Sequence, residues 1–214
     1  MNRCKRQRLV DGEDRISNLP QNIIGYILSF LPTKEAVRTC ILSTKWIYNW
    51  TFMIHLHFDD SWLSSQKQKK SKKAHFVNFV DRAVRLLADS SVKSFCLRLL
   101  CHNNYEPCQV NEWVSAILEA RLQRLHICYA EQVLFSSHSL FTCSTLVQLV
   151  LWVNCSLTLP ASVCLPNLIY LSFSRITFAS DSSAHSTDII LSFPALREFE
   201  TRDCVWLTEQ DVSI

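Results

Sequence analysis

From residue 92 onward a frame of the form LxxLxL recurs, and it constrains the fold more than any other feature of the chain. It reads Val92-Phe95-Leu97, Leu122-Leu125-Ile127, Leu146-Leu149-Leu151 and Leu168-Leu171-Phe173, with starts 30, 24 and 22 residues apart. A fifth copy, Leu196-Phe199-Thr201, begins 28 residues further on and puts threonine where an apolar side chain is expected. A unit of this length cannot bury its own apolar face, so neighbouring units must stack to make a continuous core. Each copy is therefore predicted to be a short strand plus a return segment, stacked as a curved, irregular solenoid. Asn154 and Cys204 stand where such units use a buried polar side chain to bond the turning backbone. Between the first two copies Trp113, Val114, Ile117 and Leu118 predict a helix capped by Asn111.

The front of the chain is built differently. Residues 14–50 hold three short helical patterns in fewer than forty residues. Pro20 suits a first helical turn, where its missing N–H costs nothing. Ile23, Ile24, Ile27, Leu28 and Leu31 follow at helical spacing, and Pro32 ends that helix. Thr33 is placed to cap a second helix through Val37, Cys40 and Ile41, and Ser43 a third carrying Trp46 and Trp50 on one face. So small a unit cannot bury a self-sufficient core without a disulfide, a metal or a partner. Part of its apolar surface is expected to serve another protein.

The wording of this segment resembles an F-box, as found in the plant F-box/leucine-rich-repeat family, many of whose members also carry a C-terminal FBD region. The matching phrases are Asp14 to Ser17, Leu19-Pro20, Ile27-Leu28, Leu31 to Lys34, Ala36-Val37, Leu42-Ser43, Lys45-Trp46 and Phe58-Asp59-Asp60. Thr44-Lys45 departs from the two basic residues usual before the tryptophan. Leu140 to Leu146 and Leu165-Pro166-Asn167-Leu168 are similar to recurrent phrases of the family's repeats, so the resemblance spans nearly the whole chain. It implies docking on a Skp-type adaptor of a cullin–RING ubiquitin ligase through Leu19, Pro20, Ile23, Ile27, Leu28, Leu31, Val37, Leu42 and Trp46. Relatives usually continue beyond the point where this chain stops at Ile214, so a shortened repeat array lacking the FBD region is expected.

The expected organisation is α+β. A basic, disordered tail (1–13) precedes a three-helix F-box (14–50). A strand, a Lys-rich loop and an amphipathic helix (51–91) lead to leucine-rich repeats (92–214). In the third section Ile54, Leu56 and Phe58 alternate with His55 and His57 as a half-buried strand. Residues 61–73, with Lys67, Lys69, Lys70, Lys72 and Lys73, suggest a solvated loop, or a nuclear-import signal paired with the basic Cys4–Arg8 block. Phe76, Phe79, Val80, Ala83, Val84 and Leu87 then line one side of a helix.

Composition removes several classes. Gly12 and Gly25 are the only glycines, and phosphate-cradling loops and dinucleotide fingerprints need several at fixed offsets. The ten cysteines include no CxxC pair, and with no secretory run at the start they are expected to be reduced and mostly buried among leucines, as for Cys96, Cys128, Cys143, Cys155, Cys164 and Cys204. His55 and His57 lack a third ligand at a recognised spacing. A net charge of +3 is too mild to imply nucleic acid, and no apolar run reaches the ~20 residues of a membrane helix. No metal or cofactor is expected. Asp59-Asp60 is expected to mark a turn.

The function these features support is that of a substrate-recognition subunit in the nucleus and/or cytoplasm, its repeats holding a target protein. A truncated decoy that occupies the adaptor without presenting substrate is the alternative. A Cys–His enzyme is the third class, disfavoured because thiols within leucine-rich strands are usually inert. Target contacts are expected among the strand positions between the apolar ones: Arg98, His126, Gln148, Val150, Trp152, Ser172, Ser174, Glu200 and Arg202.

Overall fold

The structure is a computed structural model, and it describes residues 16, 18–42, 44–64, 69–87, 92–100, 105–120, 122–133, 137–160, 162–180 and 190–206. Two helices open it, α1 (Gln21–Leu28) and α2 (Thr33–Arg38), with Pro20 and Pro32 immediately before them. The predicted third helix is replaced by 3-10 turns at Thr39–Ile41, Thr44–Trp46 and Asn49–Phe52. Aromatic and β-branched residues dominate here, and they favour tight local turns over a continued α-helix. Ser43, the expected cap, lies outside the described residues. Thr33 does not cap α2: its hydroxyl is buried and accepts the His57 backbone N–H at 2.8 Å, tying the helix to the first strand.

The remaining elements are β1 (His55–Asp59), a 3-10 turn (Ser61–Ser64), α3 (Lys69–Leu87), β2 (Ser94–Leu99), α4 (Pro107–Glu119), β3 (Arg124–Val133) and α5 (Ser137–Thr142). They continue with β4 (Gln148–Leu159), β5 (Ser162–Cys164), β6 (Tyr170–Ser180), β7 (Ile190–Ser192), β8 (Glu198–Arg202) and β9 (Val205–Trp206). One sheet runs β1-β2-β3-β4-β6-β8, with β9 also on β6, while β5 and β7 pair separately. Every pairing is parallel. Parallel neighbours require a crossover, and α3, α4 and α5 supply it for the first four strands.

The LxxLxL frame sets the register. Leu56, Phe95, Leu125, Leu149, Leu171 and Phe199 form one ladder, and Phe58, Leu97, Ile127, Leu151, Phe173 and Thr201 the next. All but the β8 members of these ladders are buried; Phe199 and Thr201 are exposed on the edge strand. Lateral bonds repeat with the units: Thr145 Oγ1 donates to the Leu122 carbonyl and Asn167 Nδ2 to that of Ser144. β1 belongs to this sheet, so the sheet begins ahead of residue 92. One core cluster runs from Ile24, Leu28, Trp46 and Trp50 through Phe58 and Phe76 to Phe178.

Several local expectations are corrected by packing. Lys69 to Lys73 form the first turns of α3 rather than a loop, and Lys73 Nζ lies 5.1 Å from the centre of the Tyr105 ring. Asn111 lies inside α4, which starts four residues earlier at Pro107, a residue whose fixed φ suits a first turn. Ile54 is exposed at the mouth of β1, Asn154 is exposed on β4, and Cys164 is exposed on β5. The described cysteines are free thiols. Asp59 does make the expected turn, its carboxylate accepting the Ser61 N–H at 2.7 Å. Asp60 is fully buried instead, and accepts from the Leu100 N–H (2.9 Å) and the Tyr105 hydroxyl (3.1 Å), which clasps the end of β2.

Candidate functional site

Helix α1 sorts the predicted apolar stripe onto two faces. Ile24 and Leu28 point inward with Gly25, where the absence of a side chain lets the helix touch the Phe52 backbone. Ile23 and Ile27 lie on the other side, each about two-fifths exposed, and Tyr26, Phe30 and Leu31 extend the same uncovered surface. Tyr26 and Phe30 meet edge to face with ring centres 5.0 Å apart. Beyond α2, Ile41, Leu42, Ile47 and Tyr48 are also exposed, Leu42 by 66 %. A cluster of large apolar side chains on the surface of a folded chain marks an interaction surface.

The nine residues singled out from the sequence therefore divide. Pro20, Ile23, Ile27, Leu31 and Leu42 are exposed, and Leu19 and Val37 are half-buried against the core. Leu28 and Trp46 are 1 % and 7 % exposed and belong to the chain's own core, so their contribution is to hold the surface in shape. Periodicity could not separate the two sets, because Ile24 and Leu28 share a stripe with Ile23 and Ile27 until tertiary packing chooses a side. Tyr26, Phe30, Ile41 and Tyr48 were not singled out: Tyr26 and Phe30 follow Ile23 by three and seven residues, a helical spacing that was available as a signal, whereas Ile41 and Tyr48 lie beyond α2 and carried none.

The second surface is the face of the sheet opposite the apolar ladders. His57, Cys96, His126, Val150, Ser172 and Glu200 make one row across it, and Asp59, Arg98, Cys128, Trp152, Ser174 and Arg202 the next. Arg98 pairs with Asp59 at 3.6 Å. Burial works against ionising Asp59, but bonding to Ser61 and the nearby Arg98 charge prevail and hold its pKa below the ordinary value. A Cys–His contact does form here, Cys128 Sγ to His126 Nε2 at 3.1 Å. Burial raises the Cys128 thiol pKa, while burial, Arg98 and His57 lower that of His126. Both shifts oppose the thiolate–imidazolium pair that a nucleophilic cysteine needs. Cys96 on the same face is pushed up to about 12, chiefly by burial. Among the described residues no group of three His, Cys, Asp or Glu side chains has the arrangement of a metal site.

Comparison with known proteins agrees with the first surface. The F-box domain family matches residues 16–48, the segment carrying α1, α2 and the exposed apolar cluster. An F-box/FBD/LRR-repeat protein of Arabidopsis thaliana is 35% identical over 193 residues, covering 90% of this chain and 42% of that protein. An F-box/LRR-repeat protein of the same plant is 31% identical over 201 residues, or 92% of this chain and 52% of the relative. A second F-box/LRR-repeat protein is 38% identical over 149 residues, or 68% and 28%. The chain spans about half the length of these relatives or less. No solved structure matches it. The chain thus carries a segment similar to the F-box domain and is similar over most of its length to plant F-box/leucine-rich-repeat proteins.

Proposed function

We propose that this protein is a substrate-recognition subunit of a cullin–RING ubiquitin ligase. Its F-box docks on a Skp-type adaptor, and its strands form a leucine-rich-repeat solenoid whose open face holds a target protein. The observation that carries the proposal is the coincidence of the exposed apolar cluster around Ile23, Ile27, Phe30 and Leu42 with the residues matched as an F-box. The ordered parallel strands and their apolar ladders support the solenoid. In this role the chain makes and breaks no bonds. It raises the local concentration of a target beside the ligase, turning a bimolecular encounter into one that is effectively intramolecular. Its place of work is the nucleus and/or cytoplasm, where such ligases meet their targets.

The test is co-purification of the full chain with a Skp-type adaptor, comparing the native protein with Ile27→Asp and Phe30→Asp. Fully burying one aliphatic side chain contributes about 1.5–3 kcal/mol, and with Ile27 42% exposed the part left for an interface corresponds to a roughly three- to eightfold loss of binding before the charge is counted. Both variants alter exposed positions and are expected to keep the native circular-dichroism spectrum. Trp46→Ala is the internal contrast, expected to lose binding by unfolding the segment. Native, folded chain that fails to bind the adaptor overturns the proposal.

A further inference from the structure

The open face of the sheet carries an arginine whose setting the fold alone does not require. Arg175 follows Ser174 in β6, at the point where the β4–β6 register shifts between Trp152 and Cys155. Its backbone is left-handed, with φ 60, a region costly for a residue with a Cβ. Asp203 occupies the equivalent corner of the neighbouring strand, since Arg202 pairs with Ser174, and it is left-handed too, with φ 52. The corner therefore accepts a short polar residue, and glycine would fill it at least cost. Arg175 instead reaches back over Trp152, its guanidinium carbon 4.6 Å from the ring centre. Its Nε is buried with no hydrogen-bond partner. Trp152 is still 37% exposed beneath it.

The surroundings give this platform a sign. Trp152, Ser174 and Arg202 are consecutive in one register row, which puts Arg202 roughly 10 Å from Trp152. Arg98, two strands away on the other side, is already engaged by Asp59. Among the described residues neither Arg175 nor Arg202 has a carboxylate within ion-pair distance. Glu198 and Glu200 lie on the same face further toward the start of β8 and Asp203 follows Arg202, yet neither Arg175 nor Arg202 is paired with them, so two uncommitted guanidinium groups flank Trp152. With its Nε buried, Arg175 over the indole can offer a carboxylate its terminal Nη groups, and charged N–H donors of this kind suit a carboxylate.

We infer that Trp152, Arg175 and Arg202 form the recognition site for an acidic segment of a protein target, with a Glu or Asp carboxylate received by the two guanidinium groups. This deepens the proposed function, since it names the target chemistry of the repeat face, but its test is separate from adaptor binding.

The probe is a fluorescein-labelled glutamate decamer, with a glutamine decamer and a single-stranded thymidine decamer as controls, followed by anisotropy with the full chain. The glutamate peptide is expected to bind in preference to both controls. Arg175→Gly and Arg202→Gln are each expected to weaken it about tenfold or more, the loss typical of a charged hydrogen bond. Arg124→Gln, lower on the same face, should change it little. Arg175→Gly relieves the left-handed strain, so its melting temperature should match or exceed the native value, and both arginine variants should still co-purify with the adaptor. Loss of adaptor binding by the native chain would strike the F-box role and leave the peptide result standing. Absent or glutamine-equal peptide binding, tighter binding of the thymidine decamer, or full binding by Arg175→Gly would each overturn the inference.

Discussion

Replacing Gly25 by alanine tests whether the contact between α1 and the turn at Asn49–Phe52 organises the exposed apolar surface. In an exposed helix interior this substitution normally stabilises by roughly 0.5–1 kcal/mol, because glycine loses more backbone entropy on folding. Here the sign should reverse. A Cβ on Gly25 would run into the carbonyl oxygen of Phe52, with the Phe52 carbonyl carbon and Cβ both at 2.9 Å. The obstructing oxygen and carbon are backbone, so no rotamer change clears them. The turn is pinned as well, since Trp50 within it and Met53 just after it are buried. Forcing α1 outward is an overpacking cost of about 1–3 kcal/mol. With a rigid backbone as the obstacle the upper end applies, leaving a net loss of about 2 kcal/mol after the helix gain. For a chain of this size that corresponds to a fall of roughly 4–8 °C in melting temperature. Thermal unfolding followed by circular dichroism measures the shift, and adaptor co-purification reports whether the exposed apolar face is displaced with the helix. An unchanged or raised melting temperature for Gly25→Ala would refute the assignment of this contact.

Three further outcomes follow from particular groups. Asp60→Ala removes the acceptor of the half-buried Leu100 N–H and of the buried Tyr105 hydroxyl, and should cost about 3 kcal/mol in urea unfolding; adding Tyr105→Phe should then cost little more, whereas additive losses would contradict a shared clasp. Cys96 and Cys155, both pushed up to about 12 mainly by burial, should resist alkylation in the native state at pH 8, while the exposed Cys108 and Cys164 react first. Burial lowers the pKa of His126 in the folded chain, so the unfolded chain takes up its proton first as pH falls. Stability should decline as pH drops below the ordinary imidazole value of 6.5 and level off once the folded imidazole is protonated; urea midpoints for His126→Gln that fall equally between pH 7 and 5 would exclude this residue as the cause.

Legibility differed between the two halves of the molecule for a physical reason. A parallel sheet with repeating units makes one demand again and again, an apolar residue at each fixed ladder position. The frame from Val92 to Phe173 therefore predicted the strands, and its matching positions lie opposite one another in the sheet. Where the demand was met only in part, as at Thr201, the sequence already marked an atypical unit, and Thr201 and its neighbour Phe199 lie exposed on the edge strand. The F-box segment was equally recognisable from its ordered phrases, and Pro20 and Pro32 placed the two helix starts through local sterics alone.

What the linear pattern could not contain was which neighbour each side chain meets. Ile27 and Leu28 are adjacent and equally apolar, yet one is 42% exposed and the other 1%, because only the turn at Asn49–Phe52 decides which side of α1 is covered. Thr33 has the chemistry of a cap but bonds to β1, 24 residues away, and Asp60 has the look of a turn residue but is the buried acceptor for groups 40 and 45 residues on. Arg175 gave no signal at all, since its left-handed backbone and its stack on Trp152 exist only once β4 and β6 are paired out of register. Local sterics and repeated apolar positions are written in the chain itself. The division between core and exposed apolar surface, and the placing of Arg175 over Trp152 on the sheet, depend on contacts across long sequence separations and are decided by the tertiary structure.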